Sequence, residues 1–162
     1  MNNMDKVISS LEEIKNINTA YNISTDGINN LQKEILEAKV CTPVIGKFSS
    51  GKSALINTIL GYNRKILKED ITPETAIPAE ITYTDAEDMV TIIGNDGTYK
   101  TMSIEAYRGY EADAETLESA RIQLRNNFLK EIPDVMLVDM PGFESGFEIH
   151  NKAIDNYLPR SL

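Results

Sequence analysis

Several things are scarce in this sequence, and each scarcity excludes something. A single cysteine, Cys41, among 162 residues leaves no internal disulfide framework and fits a reducing compartment. Its place in an apolar run reads as a buried, inert thiol. A single histidine, His150, cannot build a multi-histidine metal site and reads as a solvated polar position. No apolar run approaches the roughly 20 residues that span a bilayer, and the opening Met1-Asn2-Asn3-Met4-Asp5 lacks the basic-then-apolar pattern of a secretion signal. Positive charge is also short: 16 Lys and Arg stand against 25 Asp and Glu, a net charge of −9. A field of that sign repels nucleic acid and anionic lipid, and nowhere do more than two bases adjoin. A nucleic-acid partner is therefore not expected. What remains, 41% hydrophobic and 25% charged residues without repeats or low-complexity segments, fits one globular domain long enough to bury a core.

Two amphipathic helices open the chain. Val7, Ile8, Leu11, Ile14 and Ile17 recur at three- and four-residue spacing, as do Ile28, Leu31, Ile35 and Ala38. The Asn- and Thr-rich stretch from Asn16 to Asp26 connects them, and Ser24, Thr25 or Asp26 can cap the second. Residues 1–38 thus form a helical segment, its stripes packing on the domain or on a neighbouring helical part. Residues 39–162 read as α/β. Val40 to Ile45 is a short buried strand in which Pro43 is awkward, because it removes a ladder donor from an inner strand. Ser53 to Leu60 is a helix ended by Gly61, and Ala79 to Thr84 and Val90 to Ile93 are strands. Asn95-Asp96-Gly97 turns the chain into Thr98 to Met102 as a hairpin. Glu115 to Lys130 is expected to be a helix with Leu117, Leu124 and Phe128 inward, stopped by Pro133. Val135 to Val138 is a second buried strand, ending at Asp139.

The chemistry concentrates in Gly46-Lys47-Phe48-Ser49-Ser50-Gly51-Lys52-Ser53, which matches G-x-x-x-x-G-K-[S/T]. An apolar strand leads in and a helical pattern follows, as the mechanism requires. Successive backbone N–H groups make a concave anion site at a helix N-terminus, which extends to Ala54. Glycines at 46 and 51 let the main chain approach phosphates. Lys52 brings a point charge to the outer phosphates, and the Ser53 hydroxyl can ligate Mg²⁺. Asp139-Met140-Pro141-Gly142 follows the second buried strand, where a carboxylate can face Mg²⁺ and the Gly142 N–H a terminal phosphate. Thr72-Pro73-Glu74-Thr75-Ala76-Ile77-Pro78 lies between the two motifs, and a threonine there can close over Mg²⁺ with its hydroxyl.

Gly46 to Gly61, read as GKFSSGKSALINTILG, resembles bacterial dynamin-like GTPases, as do TPETAIP and LVDMPG. The likeness covers about residues 40 to 162. The 64 positions between Thr75 and Asp139 agree with it, since large dynamin-type GTPases carry extra strands and a helix there. The resemblance implies an α/β P-loop GTPase sheet, GTP or GDP and Mg²⁺ as cofactors, and Thr75 rather than Thr72 as the switch threonine. It implies that Ser49 helps position the attacking water or a charge-compensating cation. The site it implies comprises Lys52, Ser49 and Thr75 for catalysis, Gly46 to Ala54 and Gly142 for nucleotide, and Ser53, Thr75 and Asp139 for metal.

Two departures stand out. Eukaryotic dynamins place a catalytic glutamine just before that serine, and this chain has Phe48. The guanine-reading N/T-K/R-x-D motif lies tens of residues beyond D-x-P-G in such GTPases, whereas 20 residues follow Gly142 here. Asn151-Lys152-Ala153-Ile154-Asp155 has one residue too many and comes too early. The expectation is a GTPase sheet cut before its base-reading half, with an open edge on the Val40 strand that favours self-association. The parent protein is expected in the cytoplasm, hydrolysing GTP and remodelling membranes through peripheral contacts made by parts outside this chain. The alternatives are a non-hydrolysing nucleotide binder and a P-loop ATPase. A nucleotide kinase would need a substrate lid lined with arginines, against which DMPG and TPETA argue.

Overall fold

The computed structural model describes residues 3–61, 65–69, 77–142 and 157. The chain divides into two compact units, Met1–Lys39 and Val40–Leu162. The first holds helices α1 (Asn3–Ala20) and α2 (Asp26–Glu37). Thr25 occupies the N-cap position of α2 without a side-chain bond, and Ser24 Oγ instead accepts from Asp26 N at 3.2 Å. The apolar stripes are only partly covered: Ile8, Leu11, Ile28 and Ile35 are half-buried, whereas Val7, Ile14, Ile17 and Leu31 stay exposed. No helix among the described residues is long and apolar enough to cross a membrane.

The second unit is built on a sheet of six strands among the described residues. These are β1 (Val40–Val44), β2 (Ala79–Tyr83), β3 (Met89–Gly94), β4 (Tyr99–Met102), β5 (Leu117–Leu124) and β6 (Val135–Asp139), in the order β1-β6-β2-β5-β3-β4. The helices are α3 (Lys52–Leu60), α4 (Ile104–Gly109) and α5 (Asn127–Glu131). β1 pairs parallel with β6, and β2 parallel with β5, while β2 runs antiparallel to β6. Ile81, Val90, Ile122 and Leu124 point to one face and close a core with Ile56 and Leu60 of α3, Ile104 of α4 and Leu129 of α5. On the opposite face Cys41, Met136, Val138, Met140 and Tyr157 form a second cluster. There the buried Glu80 carboxylate accepts from Tyr157 Oη at 2.6 Å and from Arg121 Nε at 3.2 Å, so a carboxylate inside the protein is fully partnered.

Local chemistry explains most boundaries. Gly61 ends α3 in the left-handed region, its N–H reaching Asn57 and Thr58 carbonyls. Ser103 and Asn126 cap α4 and α5 by accepting from Ala106 N and Leu129 N. Asp96 Oδ1 takes both the Thr98 N–H and hydroxyl in the turn between β3 and β4, where Gly97 supplies a φ of 79°.

The expected helix over Glu115–Lys130 is not formed. The segment is strand β5 followed by the short α5, and Phe128, expected inside, is 40% exposed while Leu129 is fully buried. Ala120, Ile122 and Leu124 recur with period two and all three are at 0% exposure, which is a strand face. The helical spacing of Leu117, Leu124 and Phe128 was a sparser coincidence across a real turn. Helix α4 lay in a stretch for which no element was expected. Pro43 also finds a different resolution. Val40 N donates to Asp134 O, so alternate residues 40, 42 and 44 bond toward β6 and Pro43 turns its missing donor away from that ladder. Among the described residues β1 is an edge, with Val40 61% exposed, and not the buried inner strand expected, so no strand partner lacks a bond there.

Candidate functional site

The parallel pair β1 and β6 ends at one side of the sheet, with Val44 beside Asp139. The antiparallel β2 starts at the same side, because Ala79 lies beside Asp139. Three segments therefore converge at the carboxyl ends of β1 and β6, the place where open α/β sheets hold ligands. After β1 the chain turns sharply into α3. Ser49 adopts φ 56° and Gly51 φ 86°. For a serine the left-handed region is unusual and costs about 1–3 kcal/mol, a strain typical of ligand-binding loops. Alternating handedness along such a loop aims successive N–H groups into one concavity. A side chain at Gly46 would sit 2.8 Å from Ser50 Oγ and require that hydroxyl to turn aside.

The concavity is a cavity of about 70 Å³ lined by Phe48 to Ala54, Glu69, Ile77 and Asp139 to Gly142. Gly46 and Lys47 support it from behind: Lys52 Nζ folds back to donate to their carbonyls at 3.2 and 3.0 Å. Burial pushes the Lys52 amine below its ordinary pKa, opposed by the charge of Asp139. Ser53 Oγ donates to Asp139 Oδ2 at 2.6 Å, joining the first helical turn to the end of β6. The other oxygen, Oδ1, is buried without a hydrogen-bond partner. Burial raises the Asp139 pKa, against the Ser53 bond and the Lys52 charge, both of which lower it. Behind this carboxylate a second cavity of about 40 Å³ reaches Tyr107, whose phenol is pushed up to about 12 chiefly by burial and then by Asp139.

An orphaned carboxylate oxygen next to a serine hydroxyl suits a hard divalent cation, which takes oxygen ligands and keeps waters. Ser53 and Asp139 are the residues that would hold Mg²⁺ here, and the donor set fits it. Gly142 packs directly on the Phe48 main chain, so any side chain there would collide with the loop backbone. Its glycine is required by contact between the two motifs as well as by open approach to a ligand. The motif residues are thus brought together, apart from Thr72 and Thr75, which lie outside the described residues, as do His150 and Asn151 to Asp155. Sequence reasoning passed over Glu69, which lines the same cavity from a polar loop whose composition gives no signal. It also passed over Tyr107, for which an expected α4 would have been the only clue.

A six-stranded α/β sheet with a strained glycine-rich loop between its first strand and helix, facing an aspartate at a parallel neighbour's end, defines a P-loop GTPase-type fold. The model of the dynamin family matches residues 42–161. The chain belongs to the dynamin family. It is 28% identical over 124 residues to an uncharacterised protein in the xynA 3′ region of Caldicellulosiruptor sp. (strain Rt8B.4), covering 73% of this chain and 30% of that protein. It is 28% identical over 137 residues to Dynamin-like protein 2 of Campylobacter jejuni (strain 81-176), covering 83% of this chain and 22% of that protein. Among solved structures it is similar, at 27% identity and a TM-score of 0.54, to a chain of an oligomerised bacterial dynamin pair described as a mechanism for long-range sensing and tethering of membranes. That match covers 81% of this chain and 21% of the other. A second chain described in the same words, at 21% identity and TM-score 0.52, supports the fold. The chain thus spans under a third of the length of these relatives.

Proposed function

We propose that this chain binds the phosphates of GTP together with Mg²⁺, and that the protein acting through it hydrolyses GTP. The carrying observation is the contact of Ser53 with Asp139, a residue that lines a cavity with Lys52 and whose other oxygen is buried and unpartnered. Gly46 to Ala54 would cradle the phosphates through backbone N–H groups, and Lys52 would exchange its bonds to Gly46 and Lys47 carbonyls for phosphate oxygens. Mg²⁺, when bound, supplies charge neutralisation between the phosphates. Ser53 and Asp139 would orient it, joined by Thr75, two residues before the cavity-lining Ile77. Hydrolysis here is a matter of positioning and electrostatics, with Ser49 on the loop facing the attacking water or a compensating cation. Family membership favours guanine, coupling to self-assembly and a peripheral role at membranes, as the relatives' tethering of membranes suggests.

Calorimetric titration with GTP and ATP, with and without Mg²⁺, tests the reading, followed by phosphate release. Mg²⁺-dependent but weak nucleotide binding with little choice of base is expected of this chain, and turnover of the longer parent protein, in which Thr75→Ala should lose far more turnover than Thr72→Ala. Equal losses at the two threonines would show the switch residue misassigned. A second reading, binding without hydrolysis, draws on one observation: Phe48 lines the cavity, and its side chain offers no hydrogen bond to a water. Tight binding with no phosphate release would select it.

A further inference from the structure

Glu69 lines the same cavity as Lys52, Ser53 and Asp139. Its position is set from two sides. Asn57 of α3 accepts from Ile66 N and Leu67 N at 3.0 and 2.9 Å and donates to Leu67 O at 2.8 Å, clamping the loop that leads to it. Asn57 Nδ2 also donates to Glu69 Oε1 at 3.1 Å, and Lys65 pairs with Oε2. Hydrogen bonds from Lys65 and then Asn57 hold the carboxylate below its ordinary pKa, so the group is an anion at neutral pH. A fixed anion in a phosphate site repels the ligand unless a cation lies between them. The independent sign of such a cation is Asp139, which is 9% exposed, lines the same cavity and has one oxygen, Oδ1, buried without a hydrogen-bond partner.

We propose that Glu69 is a positioning carboxylate for the divalent cation of this site, acting on its hydration shell alongside Ser53 and Asp139. The proposal rests on the nucleotide-phosphate reading above and adds to it a residue whose effect changes sign with the metal. Without Mg²⁺ the carboxylate opposes nucleotide. With Mg²⁺ it accepts from the ion's waters and strengthens the complex, as outer carboxylates do at metal sites. Lys65 tunes it by partial neutralisation.

The test titrates the whole chain with GTPγS by calorimetry, once in EDTA and once in saturating Mg²⁺. Glu69→Gln keeps an amide oxygen available to Asn57 and removes the charge. It should bind metal-free GTPγS about threefold more tightly and lose about tenfold of the gain that Mg²⁺ gives the unaltered chain. Lys65→Ala, at a side chain that is 68% exposed, leaves the carboxylate unneutralised and should move both quantities the opposite way. Equal weakening in both conditions would assign Glu69 a purely structural role and overturn the proposal, as would no change in either. If the unaltered chain binds GTPγS in neither condition, the phosphate-site reading itself fails, and this proposal with it. Binding and a Mg²⁺ gain that Glu69→Gln leaves intact would remove the proposal alone.

Discussion

The two sides of the sheet are built on different terms. At the β3–β4–β5 side, Val90, Ile122, Leu124 and Ala120 are at 0% exposure, while Met89 and Tyr99 face solvent. Its turn is closed by Asp96 and Gly97, and its helix α4 is capped by Ser103. At the β1–β6 side a serine sits in the left-handed region, a lysine bonds its own loop's carbonyls, and a buried carboxylate oxygen has no partner. One side closes its core and caps its turn and helix. The other departs from local rules at several adjoining residues, and such departures cluster where a ligand completes the structure.

Breaking each side should therefore produce separable effects. The largest is expected from Lys52→Ala, which removes the one side-chain cation of the glycine-rich loop that lines the cavity. Mg²⁺-dependent nucleotide affinity should fall by ~100-fold or more, worth about 2.8 kcal/mol, with the far-ultraviolet circular dichroism unchanged. Ile122→Ala attacks the other side. It should lower unfolding free energy by about 2–5 kcal/mol in urea titration, while the folded fraction binds nucleotide as before. Gly142→Ala forces a methyl group against the Phe48 backbone and should weaken nucleotide binding by roughly tenfold, about 1.4 kcal/mol, with a smaller loss of stability. If Ile122→Ala reduced affinity in proportion to stability, the two sides would not be separable.

How much of this was readable in advance follows the same division. That the glycine-rich loop and Asp139-Met140-Pro141-Gly142 meet was legible because each follows an apolar strand run and the G-x-x-x-x-G-K-[S/T] pattern is specific, while D-x-P-G alone is a weak turn signal. Helix α3, strands β1 and β6 and the β3–β4 hairpin followed from apolar runs, Gly61 and Gly97. β5 was misread because Leu117, Leu124 and Phe128 offered a helical spacing, and the true alternation at Ala120, Ile122 and Leu124 includes a small residue that carries little apolar signal. Glu69 was invisible because its role depends on Asn57 holding a loop, a tertiary fact without a local pattern. Gly142 was legible as a glycine, yet its contact with Phe48 brings together residues 94 positions apart in sequence.

The smallest effect concerns pH in the absence of metal and nucleotide. The folded-state pKa of Asp139 is raised, chiefly by burial. The native state then binds this proton more tightly than the unfolded chain, so its contribution to stability is present at low pH and is lost as pH rises through the folded value. Asp139→Asn should lack that loss, giving a flatter stability profile above about pH 4 in denaturant titrations, and Mg²⁺ with nucleotide should erase the difference in the unaltered chain's favour. An identical profile for both proteins would show that Asp139 is solvated well enough to ionise freely.

Amide hydrogen exchange tests the central claim most directly, because it reads both sides of the sheet in one experiment. With saturating Mg²⁺ and GTPγS, exchange should slow at Gly46 to Ala54 and at Asp139 to Gly142 and stay unchanged across β3, β4 and β5. Protection confined to the β3–β4–β5 side, or none at a nucleotide concentration where calorimetry shows binding, would contradict the assignment of the loop and Asp139 as the phosphate and metal site.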